Sequence, residues 1–346
     1  LGLGESHYWG VWYGREPFEI LRERMPRFMS EFGVQSFPML SSIRRFALPE
    51  DYDLESAVMK AHQKSSIGND VILHYIRQDY PEPRDFADFV YLSQVMQGRG
   101  IALGIRAQRA AAPFCMGSLY WQLNDAWPAV SWSSIDYYGE WKGLQYEAKR
   151  AFAPIILVPD TARGKMLLTY DPLPRQRQVS LTAEVRDFSG RLIRRHTFAP
   201  ETLPARQVGR LEVTLPMEKL FTSDAERKGA FVHYELRDAR TKALIPELTD
   251  YAARIKELRL SRTKAVDFTI KTTRRAGTLF IEIQSKTLLK DAYIDLGETG
   301  WQLSDNFLDI LPGRRYRLRA TRRQNAPART TTALPTVTLR SITTAE

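Results

Sequence analysis

The sequence predicts a multidomain chain, α/β in its first part and all-β in the rest. Three observations carry this. Helical apolar stripes alternate with short strand-like runs up to about residue 154, and from Ile155 onward the apolar residues alternate singly between polar ones. Six of the seven tryptophans (9, 12, 121, 127, 132 and 141) precede residue 142. The charge shifts at the same place: residues 1–150 hold 16 Lys/Arg against 18 Asp/Glu, leaving 34 against 22 for the remainder of this +10 chain.

In the first part, Pro17 to Met25 and Leu54 to Lys64 have helical spacing, and Phe86, Phe89, Leu92, Val95 and Met96, with Val90 alongside, form an amphipathic stripe. Gly98-Arg99-Gly100 reads as a helix end. Phe28 to Phe32 and Phe114 to Leu123 read as strands, each followed by a loop rich in Pro, Ser, Asn or Asp. Strand, loop and helix in succession predict β/α units. From Ile155 the alternation of Met166–Tyr170, Val179–Val185 and Phe231–Leu236, broken by Asp171-Pro172 and Asp187-Phe188-Ser189-Gly190, predicts a sandwich to about Leu258. A second, smaller sandwich follows, with strands at Val266–Ile270, Thr278–Ile283, Ala292–Leu296 and Arg315–Leu318, and a last strand at Thr336 to Leu339. The predicted divisions are 1–154, 155–258 and 259–346.

At 346 residues, 43% apolar and 26% charged, the chain has the composition of ordinary globular domains, and its longest apolar stretches fall well short of the roughly 20 residues a membrane helix needs. No membrane partner is expected. The arginines of the basic half are spread along alternating strands, which reads as solvated strand faces rather than a nucleic-acid site. Cys115 is alone, so no intrachain disulfide can form and the redox compartment stays open. The start, Leu1-Gly2-Leu3-Gly4, has neither an initiator Met nor an apolar leader, and reads as a truncated N-terminus. The five histidines lack metal-ligand spacing and one thiol makes no cluster, so neither a metal nor a cofactor is expected. No Gly-x-Ser-x-Gly elbow or phosphate-cradling loop is present. His62 and His74 read as packing residues.

The candidate chemistry gathers in two blocks. Ser30-Glu31-Phe32-Gly33 ends an apolar strand-like run with a carboxylate, the place where strand-end residues of a barrel face a site. Leu119-Tyr120-Trp121-Gln122-Leu123-Asn124-Asp125 carries an indole, Trp121, that suits core packing, the usual place of a strand-borne tryptophan, or the C–H face of a sugar. The opening Ser6-His7-Tyr8-Trp9-Gly10-Val11-Trp12-Tyr13 is an aromatic loop of the kind that lines clefts or forms a lid; Tyr13 is expected to hydrogen-bond the Glu31 carboxylate, and Trp9 to line the site.

These motifs resemble the C-terminal part of β-mannosidases of glycoside hydrolase family two. The resemblance rests on His7-Tyr8-Trp9-Gly10-Val11-Trp12, Pro26–Gly33 with Gln35-Ser36-Phe37-Pro38, Phe86–Gln94, Tyr120–Asp125 with Trp127-Pro128, and Ser131–Gly139. It is dense to about residue 155 and sparse beyond, where Ser304–Gly313 is the clearest match. It implies the last strands of a (β/α)8 TIM barrel followed by two immunoglobulin-like β-sandwich domains. It implies Glu31 as nucleophile and Trp121 in the sugar subsite of a retaining exo-β-mannosidase acting on terminal β-mannosyl residues of oligosaccharides or glycoconjugates. The family's acid/base is a Glu after an Asn on an earlier barrel strand, and Glu5, Asp125 and Glu140 do not match that position. The implied partners are a β-mannoside substrate and the N-terminal domains of the same enzyme, without which the chain is expected to be inactive. Another family-two activity, of β-galactosidase or β-glucuronidase type, and a non-catalytic carbohydrate-binding or complementing subunit are the alternatives.

Overall fold

The computed structural model describes residues 4–160, 163–260, 267–297, 300–324 and 334–344. Predominantly β-sheet, the chain opens with a helical portion. There β1 (Glu5–His7) pairs in parallel with β2 (Phe28–Glu31), and between them lies the short α1 (Ile20–Glu23). Then come α2 (Leu40–Ile43), α3 (Ala57–His62), α4 (Gly68–Asp79), the 25-residue α5 (Phe86–Ala110) and α6 (Gly143–Ala151). The amphipathic stripe thus lies on the longest helix. Asp85 starts α5 by accepting a hydrogen bond from the Asp88 N–H at 2.7 Å, which satisfies one of the donors that a helix start leaves open. No helix among the described residues is long and apolar enough to cross a membrane.

Several local expectations need correction. Helix α1 is only four residues because Met25 precedes Pro26, and the proline ring disfavours helical geometry in the residue before it. Helix α3 is likewise shorter than Leu54 to Lys64, starting only where Ser56 caps it by accepting from the Met59 N–H at 3.1 Å. Gly98-Arg99-Gly100 ends nothing and lies inside α5. A side chain at Gly98 would press on the Gly143 backbone at 3.2 Å, so the glycine lets the start of α6 pack against α5. Phe114 to Leu123 is not a regular strand. It runs beside β2 with irregular bonding, Met116 N–H to Arg27, Leu119 N–H to Met29 and Trp121 N–H to Phe32, and forms a single parallel bridge, Met29 with Ser118.

The next portion is a sandwich of two antiparallel sheets. It uses β3 (Ile155–Asp160), β4 (Lys165–Tyr170), β5 (Arg177–Asp187), β6 (Leu192–Thr197), β7 (Glu201–Leu203), β8 (Gly209–Thr214), β9 (Ala230–Asp238) and β10 (Leu244–Asp250), with short helices α7 (Met217–Leu220) and α8 (Asp224–Gly229). One sheet orders as β10-β9-β5-β6 with β7 also on β5; the other is β3-β4-β8. Val179, Leu181, Ala183 and Val185 alternate inward along β5 and meet Tyr234 and Leu236 of β9 in a separate apolar core.

The last portion is a second sandwich, with β11 (Phe268–Arg275), β12 (Thr278–Ser285), β13 (Leu289–Asp295), β14 (Trp301–Leu303), β15 (Leu308–Ile310), β16 (Arg315–Arg322) and β17 (Thr338–Arg340). Its sheets are β11-β12-β16-β14 and β15-β13-β17. Val266 and, of the Thr, Pro and Ala-rich tail from Ala326, residues 326–333 and 345–346 lie outside the described residues.

This second sandwich shares one apolar core with the helical portion, joining Leu279, Ile281 and Ile283 to Phe89, Leu92 and Met96. Phe307, from the Ser304–Gly313 stretch, stacks on Tyr293 at 4.9 Å and reaches Tyr91 of α5 at 6.3 Å. Half-buried ion pairs cross the same seam. Arg99 of α5 pairs with Asp291, and Arg150 of α6 pairs with Asp305 and, at 2.9 Å, with Glu147. Glu147 also meets Arg106 at 3.0 Å. Burial alone would raise the Glu147 carboxyl, but Arg150, Arg106 and Arg99 hold it down to about 2.

Candidate active site

Glu31 is the last residue of β2, which has parallel neighbours on both sides: β1, and the extended segment through Ser118. In parallel sheets the carboxyl ends of strands open onto the ligand crevice, because the chain there leaves the sheet into loops. Met29 and Phe32 are fully buried and anchor the strand end, while the Glu31 side chain keeps 26% exposure.

Both contacts to this carboxylate fall on one oxygen. The Trp9 indole N–H donates to Oε2 at 3.2 Å, and His7 Nδ1 lies 3.4 Å from the same atom. His7 Nε2 in turn lies 3.3 Å from Glu5, an exposed carboxylate that also accepts from Ser30 Oγ. His7 was not among the residues expected here. Its signal is the strand register, because β1 sets His7 directly opposite Glu31.

The aromatic loop packs behind this pair. Trp9 meets Trp132 edge-on at 6.2 Å, and Trp132 meets the buried Trp12 at 5.4 Å. Tyr13 does not take the expected place. It is 66% exposed, leans on Trp9 at 6.1 Å, and among the described residues makes no hydrogen bond to Glu31. That bond comes from Trp9, because the turn Trp9–Tyr13, closed by the Tyr13 N–H on the Trp9 carbonyl at 2.9 Å, sends the tyrosine outward.

Trp121 reaches the same strand end by its backbone, its N–H donating to the Phe32 carbonyl at 2.9 Å, and its indole stays 43% exposed. Gly33 makes this approach possible. A side chain there would collide with the Trp121 carbonyl and meet the Trp132 ring at 3.2 Å. The glycine of the Glu31-Phe32-Gly33 block is therefore a requirement of close packing.

Other clusters stand apart from Glu31. His62 is stacked between Phe46 at 4.0 Å and Trp127 at 4.9 Å, and His74 Nε2 contacts Gln78 at 2.8 Å. His233, Glu235 and Glu247 converge on β9 and β10, but Arg314 already supplies the cation, 2.6 Å from Glu247 and 3.2 Å from His233 Nε2. A cavity of about 430 Å³ lined by Arg15, Asp70, His74, Arg77 and Lys256 touches none of the residues around Glu31.

The strand end thus carries a carboxylate, two groups that contact one of its oxygens, and, on the neighbouring segment, an exposed indole. An Ig-fold domain model of mannosidases matches residues 263–345. The chain is 28% identical over 324 residues to the β-mannosidase of Bos taurus, covering 88% of this chain and 36% of that protein. It is 33% identical over 203 residues to the β-mannosidase of Capra hircus, covering 55% of this chain and 23% of that one. Among solved structures, the β-D-mannosidase of Dictyoglomus thermophilum superposes with a TM-score of 0.80 at 26% identity, over 99% of this chain and 41% of that one. The exo-chitosanase of Amycolatopsis orientalis shares the fold, with a TM-score of 0.73 at 15% identity over 98% of this chain and 44% of that one. The chain resembles the C-terminal portion of β-mannosidases of glycoside hydrolase family two. It spans 36% and 23% of the two mammalian relatives.

Proposed function

We propose that this chain is part of a retaining exo-β-mannosidase that removes terminal β-mannosyl residues, with Glu31 as its nucleophile. The observation that carries the reading is the position of Glu31 at the carboxyl end of a strand with parallel neighbours, one oxygen engaged by Trp9 and His7. In this reading Oε1 attacks the anomeric carbon as the bond to the leaving oxygen breaks, giving a glycosyl ester. An acid outside this chain protonates the leaving oxygen and then, as a base, activates the water that releases mannose. The indole N–H of Trp9 and His7 hold Glu31 in place for attack, and the open face of Trp121 receives the C–H face of the sugar.

The reading also assigns residues 1–154 to the last part of a (β/α)8 barrel, 155–258 to an immunoglobulin-like sandwich and 259–346 to a terminal sandwich. The two parallel strands and the extended segment beside them are too few to close a barrel. The chain by itself is accordingly expected not to turn over substrate. Near-complete hydrolysis of a nitrophenyl β-mannoside by the purified chain would refute this dependence.

The direct test uses the enzyme that includes this chain. An activated 2-deoxy-2-fluoro-mannoside is expected to label the peptide containing Glu31, and Glu31→Ala to abolish turnover while leaving the melting curve in place. Labelling of another carboxylate, or unchanged turnover, would overturn the assignment.

A further inference from the structure

Lys142 is fully buried at the back of this site, between the turn that follows Glu31 and the loop that carries Trp132. Its Nζ donates to the Ser36 carbonyl at 3.1 Å and to the Ser131 carbonyl at 3.2 Å. Those two residues already bond to each other, the Ser36 N–H donating to Ser131 at 3.1 Å, and the Lys142 N–H donates to the Ser134 carbonyl at 2.9 Å. One ammonium thus closes a joint between two chain segments about a hundred residues apart in sequence.

The joint is built further on both sides. Asp125 accepts from Ser131 Oγ at 2.7 Å and from Ser133 Oγ at 2.6 Å. Gln97 of α5 donates to the Val34 carbonyl at 2.8 Å and the Trp132 carbonyl at 3.2 Å, and accepts from Ser36 Oγ at 2.6 Å. Between Ser131 and Ser133 sits Trp132, whose ring meets Trp9, the residue that donates to Glu31.

We infer that Lys142 is a positioning residue: its buried ammonium pins the Trp132 loop to the turn after β2, and through Trp132 and Trp9 it fixes the orientation of Glu31. This inference rests on the reading of Glu31 as the reactive carboxylate. Lys142 itself touches neither Glu31 nor the exposed indole of Trp121 and acts only through the loop.

The charge on Lys142 is conditional. Desolvation pulls the amine down from 10.5 to about 8, against the opposing pull of Asp125 and Asp136. Those two carboxylates are the charged groups that act on it; the turn after β2 and α5 bring neutral partners at Ser36 and Gln97. As the amine loses its proton at mildly alkaline pH, its bonds to the Ser36 and Ser131 carbonyls lose their charge assistance.

The test uses the full 346-residue chain and its K142M and K142R variants. Tryptophan emission is followed from about pH 7 to about pH 9, below most tyrosine ionisation, with circular dichroism as a check on the fold. Wild-type emission is expected to shift with a midpoint near 8. K142M is expected to be flat, at the wild-type alkaline value, and K142R flat at the neutral value. A flat wild-type curve, or the wild-type transition persisting in either variant, overturns the inference. If K142M does not fold, K142R decides alone. In the enzyme that includes this chain, K142M is expected to lower kcat about tenfold or more with KM nearly unchanged, and an unchanged kcat likewise overturns it. The emission readout needs no turnover and the fluorosugar label reports on Glu31 separately, so failure of one reading is distinguishable from failure of the other.

Discussion

Trp9 and Glu31, 22 residues apart in the chain, meet through a hydrogen bond of 3.2 Å from the indole N–H to the carboxylate Oε2. A bond to a charged group contributes more than one between neutral partners, about 1.5–3 kcal/mol. Trp9→Phe keeps an aromatic ring against Trp132 but removes the donor. In the enzyme containing this chain it is expected to lower kcat/KM by about ten- to a hundredfold with little change in melting temperature. Steady-state kinetics beside a melting curve measures both; unchanged kinetics would exclude Trp9 as a positioning donor.

Trp121 presents an indole that is almost half exposed, so its removal leaves no large cavity. Trp121→Ala is expected to change stability by no more than about 0.5–1 kcal/mol. If the face stacks on sugar, the same variant raises KM by about three- to tenfold, the loss of a contact of about 1 kcal/mol. Urea titration and substrate saturation curves check the two halves. A large loss of stability with KM intact would assign the residue to packing.

Gly33 allows the Trp121 carbonyl to approach β2, and a methyl group there has backbone in its way. Gly33→Ala is expected to cost about 1–3 kcal/mol, the usual range for forcing atoms into a packed region. Denaturant unfolding measures it. The Trp132 emission is expected to move in the same variant, since its ring lies 3.2 Å from the inserted methyl group.

Glu147 ties the seam between the helices and the last sandwich to pH. Its folded carboxyl titrates at about 2 against 4.5 for the free group. The folded value is the lower one, so the stabilisation is complete above 4.5 and is lost as pH falls through 2. The carboxylate contributes about 3 kcal/mol over that window. Glu147→Gln is expected to flatten the acid limb of stability between those pH values and to destabilise the chain at neutral pH, since Arg106 and Arg150 lose a buried counter-charge. Urea midpoints at several pH values compare the two proteins.

Much of this architecture is legible in the chain because periodicity is local. The Phe86–Met96 stripe repeats at the helical period and forms α5; the single alternation of Val179–Val185 forms β5. Phe114 to Leu123 misleads for the same reason. It is as apolar as a strand, yet Phe114, Met116, Leu119 and Leu123 are exposed and its bonds to β2 are irregular, a property of its neighbour and not of its composition. Glycines carry a similar ambiguity: Gly98 reads as a helix stop, and only the approach of Gly143 explains it inside α5.

At the site the division falls between residue types and contacts. The sequence by itself determined that a carboxylate, Glu31, ends an apolar strand amid aromatic loops, and that the chain turns from helical stripes to alternating strands near residue 155, because both are written in neighbouring residues. Only the tertiary structure decided that Trp9 rather than Tyr13 bonds Glu31 and that His7 stands opposite it. It alone decided that Lys142 joins loops about a hundred residues apart and that the last sandwich shares its core with the helices. Those contacts depend on how the loops close and which faces meet, and hydrogen bonds of about 3 Å leave no margin for inferring them from spacing alone.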